Sequence, residues 1–107
     1  LSFYSPNKDI DLEENFNFKE FIIALIHLGV KEFCFTNIDL TSEENNNKKL
    51  FGEIFSHPIA KSRVTYLKFY KCPGILSLEN LIKPLEKLNS LSLGQCYISG
   101  KFLKFMP

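Results

Sequence analysis

Three segments of the chain superimpose without a gap: residues 30–38 (VKEFCFTNI), 64–72 (VTYLKFYKC) and 88–96 (LNSLSLGQC). Apolar residues occupy the first, fourth, sixth and ninth places of every copy. A pattern that recurs in this way restricts the chain more than any composition does, because each copy must form the same local structure and stack on its neighbours. The last two copies start 24 residues apart (88 − 64) and the first two 34 apart (64 − 30). The longer interval fits an inserted loop, and the polar run Ser42–Lys49 reads as one. Leu1 and Phe3 can hold the fourth and sixth places of a further copy, so repeats start near 30, 64 and 88, with a partial repeat over 1–29.

Within each copy the apolar pairs Phe33/Phe35, Leu67/Phe69 and Leu91/Leu93 are two residues apart, which places them on one face of a strand. Between copies the period becomes helical. Phe18, Phe21, Ile22, Leu25 and Ile26 form one stripe, with Asn17 as N-cap, Glu20 as its capping-box partner and Gly29 as C-terminal stop. A second helix is predicted from Thr41, with Glu44 as box partner, through Leu50, Phe51, Ile54 and Phe55, ending before Pro58. A third runs from a Ser77 cap through Leu78, Leu81, Ile82 and Leu85, kinked or shortened by Pro84, and a last turn follows Ser99. Strand alternating with helix implies parallel strands joined by right-handed crossovers. The expected fold class is therefore α/β: three to four parallel strands in a one-layer horseshoe with helices on its convex side. A doubly wound domain is the competing architecture, but it has no reason to repeat the ninth place occupied by Ile38, Cys72 and Cys96.

The pattern L-x-x-L-x-L-x-x-C resembles the leucine-rich-repeat family in its cysteine-containing subtype. Residues 1–107 are read as a single fragment of such a repeat array. Within the subtype the chain is similar to the repeat region of F-box adaptor proteins, and its richness in Phe, Asn and Lys resembles nematode members. That resemblance implies substrate recognition for a ubiquitin ligase, with the F-box lying outside this sequence.

Composition sets the remaining limits. The net charge of +1 argues against a nucleic-acid or membrane-surface partner drawn by bulk charge. It is unevenly spread: residues 1–54 carry five Lys and ten Asp or Glu, net −5, and residues 55–107 carry eight Lys or Arg and two Glu, net +6. The longest apolar run, Phe21 to Val30, is too short to span a bilayer. The chain starts at Leu1 without a signal-peptide pattern and reads as part of something longer. Cys34, Cys72 and Cys96 have no CxxC spacing, so neither a disulfide framework nor a metal site is expected. Reduced thiols point to the cytoplasm or nucleus. Cys72 and Cys96 are expected to be buried thiols that fill the strand end. His27 and His57 lack metal-ligand spacing. Gly94 to Lys101 imitates a phosphate loop but has the wrong glycine spacing, and Phe102 stands where Ser or Thr is required.

Alternation gives the candidate site. Phe3, Phe33, Phe35 and Phe69 point inward. Tyr4, Tyr66 and Tyr70 do not, and belong on or beside the concave sheet face. The partner-binding array is read as Tyr4, Cys34, Thr36, Lys68, Tyr70, Ser92 and Gln95. Its mixture of aromatic, basic and small polar groups suits a protein partner. No cofactor, metal or small-molecule substrate is expected, and the chain is not read as an enzyme. Two alternatives stand beside this: a structural segment of a larger solenoid without a binding role, and, more remotely, a thiol enzyme using Cys34 with a histidine.

Overall fold

Each copy of the repeat supplies one strand whose apolar side chains all face the same way, and four such strands line up. The computed structural model describes residues 1–5, 17–41, 46–75, 79–94 and 96. Its elements are β1 (Ser2–Tyr4), α1 (Phe18–His27), β2 (Glu32–Thr36), α2 (Asn47–Ser56), α3 (Pro58–Arg63), β3 (Tyr66–Tyr70), α4 (Glu79–Ile82) and β4 (Ser90–Gly94). The strands form one sheet in chain order, and every neighbouring pair is parallel. The register follows the sequence alignment. Phe33, Leu67 and Leu91 lie side by side, as do Phe35, Phe69 and Leu93, and Phe3 falls beside Phe35.

This register builds the core. The rings of Phe3, Phe35 and Phe69 stack along the sheet with centroids 5.6 and 5.5 Å apart. Helical phenylalanines close over them: Phe51 meets Phe35 edge-on at 4.9 Å, Phe18 lies 6.3 Å from Phe35, and Phe55 meets Phe69 at 6.2 Å. Phe33, Phe35, Phe51, Phe55 and Phe69 are fully buried. α1 packs on α2 and α3, and α2 packs on α3 and α4, so the described helices form one layer over this face. The smallest extent, 20 Å, suits one sheet and one helix layer, since a helix is about 10 Å across. Two helix layers would not fit.

Local signals set the helix ends. Asn17 accepts from the Glu20 amide at 3.4 Å and caps α1. At the other end Gly29 (φ +106°) turns the chain back. Its amide donates to Ile26 O and that of Val30 to Leu25 O, both at 3.0 Å. These two bonds are a Schellman closure, for which a left-handed residue after the cap is required. Phe21 departs from the predicted apolar stripe. It is 40% exposed and lies at the rim, edge-on to Phe3.

Three predicted boundaries are corrected. The second helix does not begin at Thr41. Asp39 Oδ1 accepts from both the amide and the hydroxyl of Thr41, which holds that residue in a turn. α2 starts only at Asn47, and Glu44 lies outside the described residues. The long interval between the first two copies is not all loop: Asn47–Lys49 belong to α2, and a helix absent from the prediction, α3, follows it. Pro58 ends one helix by starting another. It occupies the first turn of α3, where its missing amide costs nothing, and His57 Nδ1 caps that turn by accepting from Ile59 N at 3.1 Å. The predicted third helix shrinks to α4, which stops two residues before Pro84. Its Ser77 cap and Leu78 lie outside the described residues, as does the turn after Ser99.

Because Phe35 touches five other rings, Phe35→Ala is expected to lower unfolding stability by about 3–5 kcal/mol in a urea titration. Phe21→Ala at the rim is expected to cost only about 1 kcal/mol.

Candidate protein-interaction surface

The face of the sheet opposite the helices carries the side chains at the alternate strand places. They form three rows across the strands: Ser2, Cys34, Lys68 and Ser92; Tyr4, Thr36, Tyr70 and Gly94; and Glu32, Tyr66 and Ser90. Cys34, Thr36, Lys68, Tyr70 and Ser92 are half-buried by one another, and Tyr4 is 70% exposed. Six of the seven residues named from sequence are thus brought onto one face. Gln95 lies outside the described residues, and the register gives Gly94 as the β4 place beside Tyr70. Glu32 and Ser90 belong to the face but were not predicted. They share the parity of Cys34 and Ser92, so alternation carried one place further back would have found them.

Gly94 explains how Tyr70 is held. A Cβ at this glycine would lie 2.7 Å from Tyr70 Cδ2, so the phenol ring rests directly on the β4 backbone. The ammonium of Lys71 sits over the same ring, 5.4 Å from its centroid. The ring is therefore ordered on an open surface. A group fixed in this way loses little conformational entropy when a partner covers it.

The strands end in a repeated device. Asn37 and Lys71, both at the eighth place, adopt left-handed backbone (φ 61° and 55°). Their amides donate to the next strand, Asn37 to Tyr70 O and Lys71 to Gly94 O, each at 2.9 Å. The left-handed step turns the ninth residue inward. There the Cys72 thiol faces Phe35 O and Tyr70 O at 3.4 Å, and the Cys96 thiol faces Phe69 O at 3.3 Å and Gly94 O at 3.4 Å. The Cys72 amide donates to Cys96 Sγ at 3.4 Å. Only a protonated sulfur can serve those carbonyls. The neighbouring Cys96 side chain, and then burial, push the Cys72 thiol well above the usual range. Both cysteines are free and buried.

Cys34 is also free, but it lies on the open face with the Thr36 hydroxyl 4.0 Å from its sulfur. Among the described residues no hydrogen bond joins it to a histidine. His57 Nδ1 is occupied as the cap of α3, in the helix layer behind the sheet. Among the described residues no three His, Cys, Asp or Glu side chains are grouped to hold a metal ion, and no helix is long and apolar enough to cross a membrane. No protein-family model, no curated protein and no solved structure matches the chain.

Alkylation with iodoacetamide should follow burial. Cys34 is expected to label first, with Cys72 and Cys96 protected by about a hundredfold or more, because their exposure needs an opening of the core. Denaturant should abolish the difference, which peptide mass mapping would read directly.

Proposed function

We propose that this chain is a segment of a leucine-rich-repeat solenoid, bowed with its helices on the convex side, that binds a protein on its open sheet face. The observation that carries this reading is the ordered, mixed surface built by Tyr4, Thr36, Tyr66, Lys68 and Tyr70 on rigid parallel strands. Aromatic groups held in place on a flat, moderately polar surface are the usual anchors of protein interfaces. The narrower form is substrate recognition for an F-box ubiquitin-ligase adaptor. It rests on the cysteine at the ninth place and on the resemblance that this pattern carries. Three free thiols suit the cytoplasm or nucleus. In this reading the protein has no catalytic centre, and Cys34 is a contact residue.

A second reading has its own support. The β1 side exposes Leu1 (57%) and Phe21, which lies edge-on to Phe3, and this is a surface that another repeat would cover. On this view the segment extends a solenoid and binds nothing by itself.

Affinity purification of the full gene product separates the two. Replacing both Lys68 and Tyr70 with Ala is expected to reduce partner recovery by about tenfold or more, while Lys48→Ala on α2 leaves it unchanged. If the double variant recovers the same proteins in the same amounts, the structural segment is the better description. Absence of ubiquitin-ligase core subunits from both preparations would remove the narrower form.

A further inference from the structure

A cleft of about 490 Å³ opens at the edge of the sheet where the chain enters its strands. It is lined by Lys31, Ser62, Arg63, Thr65, Lys87 and Asn89. Lys31, Thr65 and Asn89 hold the second place in three successive copies. Their backbones continue the sheet by one residue: the Thr65 amide donates to Lys31 O at 2.9 Å and the Asn89 amide to Thr65 O at 3.0 Å. Ser62 and Arg63 come from the last turn of α3, and Lys87 from the segment between α4 and β4. The cleft therefore has a fixed floor, with polar side chains standing on hydrogen-bonded backbone.

Three cations face this space, and among the described residues no carboxylate lines it. Among the described residues the ion pair formed is Lys19 with Glu53, in the helix layer. Lys31, Arg63 and Lys87 have no acidic partner there. Glu32, next to Lys31, belongs to the open sheet face. Glu86, next to Lys87, is not among the residues lining the cleft. The opposing charge comes from the ends of α1 and α3, each at most about −0.5. Among the described residues, cations therefore predominate in the lining of this cleft.

We propose that this cleft binds a phosphoryl dianion, either inorganic phosphate or a phosphate monoester. The excess of cations in the lining suits an anionic ligand. Arg63 and the two lysines provide charge-assisted donors and the Asn89 side-chain amide a neutral one, while the Ser62 and Thr65 hydroxyls already donate to Ile59 O and Lys31 O. A carboxylate carries half the charge and two fewer acceptor directions. The site is separate from the open sheet face and uses none of its residues.

The test is amide NMR of the whole chain titrated with sodium phosphate near about pH 7.5, where the dianion predominates, at constant ionic strength. Saturable shifts are expected at Lys31, Thr65 and Asn89. Replacing both Arg63 and Lys87 with Gln is expected to weaken binding by about tenfold or more, with each single variant intermediate and Lys48→Gln unchanged. A non-saturating response, shifts spread over all the lysines, or equal affinity in the double and single variants would overturn the proposal. A phosphoserine peptide without other charges gives the source of the group. Binding about tenfold tighter than phosphate supports a phosphoryl group carried on a chain, and equal binding supports a small phosphate. Equal binding of the unphosphorylated peptide would sink the idea.

Discussion

The structure depends on phenylalanines kept in parallel register. Phe3, Phe35 and Phe69 stack from strand to strand at 5.5–5.6 Å, and this stack is possible only because neighbouring copies align without offset. A slip of one residue would turn every ring to the opposite face. The helical rings of Phe18, Phe51 and Phe55 then seal the stack from above. Sheet and helix layer are therefore one hydrophobic unit, and burial of a ring is worth about 1.5–3 kcal/mol before its ring contacts are counted.

That unit requires the strands to stop together. The left-handed residues at the eighth place end the extended backbone, and the ninth residue drops into the core behind it. A thiol suits this position because it is small enough to be buried between strands while still offering a weak donor to the carbonyls there. Lys71 makes the turn despite a side chain that disfavours left-handed backbone. Its ammonium is thereby carried over the Tyr70 ring. A strand-ending device and an ordered surface aromatic thus share one residue.

With one face closed by helices, the other face displays whatever the alternate places hold. Its side chains are fixed in spacing by the strands and not by their own contacts. This gives rows of dissimilar groups at constant separation, the property used in the proposed recognition role. The cationic cleft arises from the same geometry at the sheet's edge, where second-place residues and the end of α3 converge.

Much of this was legible in the chain itself. The repeated apolar places determined strand identity, direction and register, because an in-register stack is the only way to bury all of them at once. Alternation likewise identified most of the open face, and Asn17 and Gly29 marked the ends of α1. What the sequence left open depended on neighbours distant along the chain. Thr41 and Glu44 form a good capping pattern, yet Asp39 holds Thr41 in a turn. Pro58 reads as a stop, and only burial of Ile59 and Ala60 in the core makes it the start of α3. Gly94 carries no visible role until Tyr70 lies across it. Lys31, Arg63 and Lys87 look like scattered surface charges until the strands and α3 bring them around one cleft. Local periodicity fixes which way each residue faces, but the convergence of residues far apart in sequence exists only once the layers have packed.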